Sequence, residues 1–155
     1  LGSNKRHPRY GAPRHVLTAA FEALNNNGLT LLQHSRIISS APIGPSLRVY
    51  ANAAALIETA IEPPALLDHL KQTESLFGQR RGQRWSSRVL DLDILLWSGG
   101  IWSDDHLNVP HLEMTRRNFV MAPLAEICPK WRHPVDGSDV FQILSRLQRR
   151  YPVDQ

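Results

Sequence analysis

The chain predicts an α+β fold: a ferredoxin-like split βαβ sheet covered by helices, with a hairpin and a helical extension towards the C-terminus. Three observations lead there. Apolar residues recur at helical spacing in separate stretches, β-branched and apolar runs lie between them, and the two kinds follow the order strand, helix, strand, strand, helix, strand. A length of 155 residues suits one domain, 1–155, large enough for a single core.

Gly2, Ser3 and Asn4 have the character of a strand's exit. Leu1 is not a natural start, so the first strand is expected to be truncated here, with further residues upstream. Lys5 to Ala12 is polar and reads as a loop. Pro13 opens a helix in which Val16, Leu17, Ala20, Phe21 and Leu24 share a face, until Asn27 and Gly28 close it. Leu29 to Ser40, with Leu31, Leu32, Ile37 and Ile38, reads as one strand, and Pro42, Gly44 and Pro45 end it in a rigid loop. Tyr50 and Asn52 open the next strand, which continues through Ala53, Ala55 and Ile57 to about Ile61.

Pro63 and Pro64 begin a second helix, with Leu66, Leu67, Leu70 and Phe77 on one face and Gly78 at its end. Glu74 falls on or near that face, where an acid ordinarily pairs with an arginine. Gln79 to Ser87 has no periodicity and reads as a mobile basic loop around Trp85. From Val89 to Leu96 a strand is expected, with Leu90, Leu92, Ile94 and Leu96 on one face and Asp91 and Asp93 on the other. Ser98, Gly99 and Gly100 then turn the chain, and Ile101 and Trp102 return as a hairpin. Val109, Pro110 and His111 form another rigid loop. Arg116 and Arg117 lead into a mostly apolar segment, from Phe119 to Leu124, interrupted by Pro123 and Pro129. Val140 to Arg150 is an amphipathic helix.

Two carboxylates on one strand face, roughly 6 to 7 Å apart by strand rise, repel each other unless a cation sits between them. Arg84 or Arg88 could supply that charge as an ion pair. The pair also suits Mg²⁺, a hard cation that takes oxygen ligands, keeps waters and is completed by substrate phosphates, with Arg80, Arg81, Arg84 and Arg88 nearby to fork onto phosphate oxygens. Tyr50 and Asn52, two apart, point to one face. There they could stack on and hydrogen-bond a guanine-like ring, or simply finish a sheet margin.

Eighteen Lys and Arg against fourteen Asp and Glu give a net charge of +4. That is compatible with an anionic ligand but thin for a nucleic-acid face. Cys128 is alone, which excludes an internal disulfide and a cysteine-rich zinc site and fits a reducing cytoplasm. There is no run of membrane-spanning length and no signal-peptide pattern.

The run Arg84, Trp85, Ser86, Ser87, Arg88, then Asp91, Leu92, Asp93, Ile94, Leu95 resembles the signature of the 6-hydroxymethyl-7,8-dihydropterin pyrophosphokinase family of folate synthesis. Further matches follow in the family's order: Gly2, Ser3, Asn4; Pro42, Ile43, Gly44, Pro45; Tyr50 and Asn52; Glu74; Val109, Pro110, His111; Arg117 and Phe119. The resemblance implies transfer of the terminal pyrophosphate of ATP to the pterin hydroxymethyl group, releasing AMP. Asp91 and Asp93 would hold two Mg²⁺ ions, with Arg88 beside them in catalysis. ATP would meet Glu74, Arg84, Trp85, Arg88, Ile94, His106, His111 and Arg117. The pterin would meet Ile43, Tyr50, Asn52, Trp85, Asp91 and Phe119. Gln79 to Ser87 would act as a lid. Ser86 and Ser87 stand where the family commonly has glycine and proline, and His106 where it often has arginine. The implied partners are ATP and dihydropterin alone, without nucleic acid or membrane, for a chain that can work as a monomer. Two rivals remain: a diverged paralogue acting on another pterin, motivated by those departures, and a non-enzymatic RNA-binding sheet, disfavoured by the two carboxylates.

Overall fold

The computed structural model describes residues 1–40, 49–78 and 89–150. Helix α1 (Pro13–Ala23) starts on Pro13, whose fixed φ suits a first turn, and buries Val16, Leu17, Ala20 and Phe21. After it the chain reverses through Asn27 and Gly28, both at positive φ, where glycine carries no steric cost. Helix α2 (Pro63–Phe77) likewise begins on proline and buries Leu70, Thr73 and Phe77.

The two central stretches differ from the two unbroken strands expected of them. Residues 29–40 form β2 (Leu29–His34) and β3 (Ile38–Ser40), and the return forms β4 (Tyr50–Asn52) and β5 (Ala55–Thr59). β2 pairs antiparallel with β5, and β3 with β4. One extra residue, Leu32, lies between the pairs Leu31–Ile57 and Gln33–Leu56. Between His34–Ala55 and Ile38–Asn52, Ser35 to Ile37 oppose only Ala53 and Ala54. Each insertion shifts the register by one residue and bends the ladder. Ser35 fills the second gap. Its backbone N–H donates to the Ala54 carbonyl at 2.8 Å, and its buried hydroxyl oxygen accepts the Ala54 N–H at 2.9 Å.

β1 (Gly2–Ser3) pairs antiparallel with β4, Gly2 opposite Asn52 and Ser3 opposite Ala51. On its other side Gly2 meets Asp91 in an isolated antiparallel bridge. The strand expected over 89–96 is therefore corrected: among the described residues it has that one bridge, because β1 sets only Gly2 opposite it. Its alternation survives as far as Ile94, with Leu90 and Leu92 buried and Asp91 and Asp93 exposed, and ends at Leu96, which packs with Leu95 against the second core and not with Leu90 against the first. The expected hairpin is also corrected. Trp102 and Ser103 (β6) pair forward with Asn108 and Val109 (β7), not back with the aspartate stretch. Asp104 explains why: its Oδ1 accepts the amides of His106 at 2.7 Å and Leu107 at 2.8 Å, and its Oδ2 accepts the Trp102 indole N–H at 2.8 Å. Those bonds close a tight turn at once.

A 3-10 turn (Met114–Arg116) precedes α3 (Asn118–Ile127), which runs straight through Pro123 where an interruption was expected. Burial of Met121 and Leu124 in one core with α4 (Val140–Arg150), and of Pro123 itself, outweighs the one backbone hydrogen bond that proline removes. Two cores result. The first joins α1, α2, Ala51, Ala53, Leu90 and Leu92, and the second joins Ala54, Met114, α3 and α4. Neighbouring Ala53 and Ala54 point to opposite sides of the sheet, so α1 lies on one side and α3 and α4 on the other. The described chain is thus a mixed α+β structure of helices on small antiparallel sheets.

Candidate active site

Residues directly opposed across an antiparallel ladder share a face. Ile38, Asn52, Gly2 and Asp91 therefore stand in one row across the sheet. Tyr50, two before Asn52, and Asp93, two after Asp91, belong to the same face. Two residues further along the same strands, Ala54 and Leu95 also share it, and both pack into the second core. The polar residues begin where the α3 and α4 layer stops covering the sheet.

Asp91 and Asp93 are both exposed there. Between the two aspartates, the Leu92 N–H donates to Glu74 Oε1 at 3.0 Å. That bond ties α2 to the aspartate stretch, so the half-buried acid on the helix face takes a backbone amide. Ile94 packs partly against the first core, on the side away from the aspartates. Further along, the His111 N–H donates to the Leu95 carbonyl at 2.9 Å, and His111 Nδ1 accepts the Glu113 N–H at 3.2 Å. A neutral His111 ring is then the tautomer whose other nitrogen carries the proton, a donor suited to an anion.

Arg117 and Phe119 flank the start of α3, which packs on the Ala54 side of the sheet, the side that bears Tyr50 and Asn52. Phe119 is 49% and Tyr50 41% exposed. Two half-open rings on one side of a sheet suit a flat ligand between them. His106 stands apart, exposed in the β6–β7 turn with its amide on Asp104. Hydrogen bonds from Trp102 and then His106 hold the Asp104 carboxyl below the ordinary carboxylate pKa. Ile43, Arg84, Trp85 and Arg88 lie outside the described residues, as does the loop expected to form the lid.

The structure thus gathers Tyr50, Asn52, Asp91 and Asp93 on one face, anchors Glu74 and His111 to the aspartate stretch, and leaves His106 on a separate turn. Sequence reasoning missed Gly2 as the gap in the row, since only strand pairing reveals it. It also missed Asp104 as the organiser of the turn, although an aspartate two and three residues ahead of free amides is the usual sign of such a loop. Among the described residues no three His, Cys, Asp or Glu side chains are grouped as a metal site. Two hard carboxylates side by side still fit a Mg²⁺ ion whose remaining ligands are phosphate oxygens and water. No helix among the described residues is long and apolar enough to cross a membrane.

Known proteins resemble this chain over most of its length. Residues 1–129 match the model of the family described as 7,8-dihydro-6-hydroxymethylpterin-pyrophosphokinase. Three relatives carry the name 2-amino-4-hydroxy-6-hydroxymethyldihydropteridine pyrophosphokinase. The protein from Haemophilus influenzae is 41% identical over 82% of this chain and 78% of its own length. That from Pseudomonas aeruginosa is 37% identical over 94% and 87%. That from Methylorubrum extorquens is 38% identical over 95% and 90%. This chain belongs to the 7,8-dihydro-6-hydroxymethylpterin-pyrophosphokinase family.

Proposed function

We propose that this chain transfers pyrophosphate from ATP to the hydroxymethyl group of 6-hydroxymethyl-7,8-dihydropterin, releasing AMP, in folate synthesis. The observation that carries it is the sheet face on which a carboxamide and a half-exposed phenol ring stand two strands across from two exposed carboxylates, in a chain of this family. A pterin anchored at Tyr50 and Asn52 brings its hydroxymethyl arm towards Asp91. Asn52 can donate to and accept from the ring edge, and Phe119 can cover its second face. Asp91 and Asp93 would hold Mg²⁺, which when bound neutralises phosphate oxygens and orients the acceptor oxygen.

The chain's own work is placement, since in-line phosphoryl transfer needs position and neutralised charge more than a covalent partner. Glu74, through the Leu92 amide, keeps the backbone between the aspartates in register. His111 presents a proton to phosphate, and Arg117 adds a cation from the start of α3. Ile94, turned towards the first core, offers the nucleotide its backbone. Arg84, Arg88, Trp85 and Ile43 complete the set by family resemblance, and His106 contributes from the edge. The antiparallel sequence of neighbours, Asp91 stretch, β1, β4, β3, supports the ferredoxin-like arrangement of one domain over 1–155. The names of the relatives favour this reaction over an RNA-binding role.

AMP release from ATP and Mg²⁺, with and without 6-hydroxymethyl-7,8-dihydropterin, tests the proposal. AMP formed only with the pterin and metal is expected. Folded protein that makes none, or makes it equally with other pterins, would overturn the assignment.

A further inference from the structure

Gly2 sits between the two ends of the candidate site, opposite Asn52 on one side and Asp91 on the other. Its N–H donates to the Asp91 carbonyl at 2.9 Å and its carbonyl accepts the Asp91 N–H at 2.8 Å. Both backbone groups therefore turn away from β4, and Gly2 and Asn52 form the close, non-hydrogen-bonded kind of pair, whose Cα atoms lie about 4.5 Å apart. The flanking bond, Ala53 N–H to the Leu1 carbonyl at 3.0 Å, fits that pattern. In such a pair the side chains approach most closely.

A Cβ added at Gly2 would stand 3.3 Å from Asn52 Oδ1, tighter than side chains ordinarily tolerate, and 4.0 Å from the Ala51 carbonyl. The Asn52 carboxamide thus leans across the strand into the space a Gly2 side chain would fill. Backbone conformation does not require glycine here, because Gly2 is absent from the positive-φ residues of the described chain. Glycine inside a strand is a destabilising choice and marks close approach. The Asn52 carboxamide is the group that approaches.

We propose that Gly2 is a positioning residue for Asn52: the missing side chain seats the carboxamide and keeps the floor between Asn52 and Asp91 open for the pterin. This rests on the assignment of Asn52 to the pterin given above. With a methyl group at position 2, the carboxamide must give way by a few tenths of an ångström, which misaligns its paired hydrogen bonds to the ring edge, while the methyl meets nothing at the nucleotide end.

Steady-state kinetics of Gly2→Ala, Asn52→Ala and the double variant test it, with thermal melting as the check on folding. Gly2→Ala is expected to raise KM for the dihydropterin about tenfold and to leave KM for ATP within about twofold. In the Asn52→Ala background the same change should add little, because the group it displaces is already gone. An unchanged pterin KM in folded Gly2→Ala, or an equal penalty with and without Asn52, overturns the proposal. If Gly2→Ala does not fold, the side-chain amide resonances of Asn52 in the wild-type protein decide: a fixed carboxamide without pterin supports the seat, and a freely rotating one refutes it. The reading beneath fails differently. Wild-type protein without pterin-dependent AMP release, or Asn52→Ala with a normal pterin KM, overturns the site assignment and this proposal with it.

Discussion

At the scale of single residues, the exposed aspartates allow chemistry and stability to be separated. Asp91 and Asp93 lie at the exposed surface, so Asp91→Asn and Asp93→Asn leave both cores intact and melting temperatures should stay near wild type. Turnover should fall roughly 10²- to 10⁴-fold if each carboxylate holds metal worth several kcal/mol in the transition state; AMP release measured at saturating Mg²⁺ checks this. His133 makes a different prediction. It is buried, and its Nδ1 accepts the amides of Val135 at 3.2 Å and Asp136 at 3.0 Å. Burial lowers its pKa below the ordinary 6.5, only partly offset by Asp136. A histidine held neutral in the fold but free to charge when unfolded contributes stability that is full above pH 6.5 and is lost as pH falls through 6.5 towards the folded value. Urea midpoints compared between about pH 7.5 and 5.5 should show that slope, and His133→Asn should lack it. The aspartates were legible in sequence because alternation alone placed them on one face. The duty of His133 was not, because its partners come from a turn that composition does not specify.

At the scale of elements, α2 was readable from its proline start, its glycine end and its helical spacing, and α4 from spacing alone, whereas α1 begins on Pro13 as expected but stops at Ala23, short of the Asn27 and Gly28 expected to close it. The β2–β3 stretch was not readable, for a physical reason. A period of two survives only while the ladder stays in register, and two insertions reset it, leaving Leu32 53% and Ile38 40% exposed. The aspartate stretch kept its alternation as far as Ile94 without a ladder, since that apolar face is held by the first core. Its tie to α2 is the Glu74–Leu92 bond. Glu74→Ala should lower stability by about 1.5–3 kcal/mol, the range for a hydrogen bond to a charged group, with chemical denaturation as the measure. Glu74→Gln, still able to accept the amide, should lose less.

At the scale of the whole molecule, the sheet divides two cores and the site lies where one of them ends. Perturbing the second core should therefore reach the pterin end before the nucleotide end. Ile143→Ala should cost about 2–5 kcal/mol, read by chemical denaturation. Ala54→Leu, at a buried position facing α3, should cost about 1–3 kcal/mol by overpacking and shift the start of α3, raising KM for the pterin more than KM for ATP. The row from Ile38 through Asn52 and Gly2 to Asp91 has a consequence for substitution. The span from ring anchor to carboxylate is two interstrand steps, about 10 Å between Cα atoms, and peptide geometry sets it. Residues in the surrounding turns and helices can change without lengthening or shortening the interval across which the two substrates must meet, because backbone pairing and not side chains defines it.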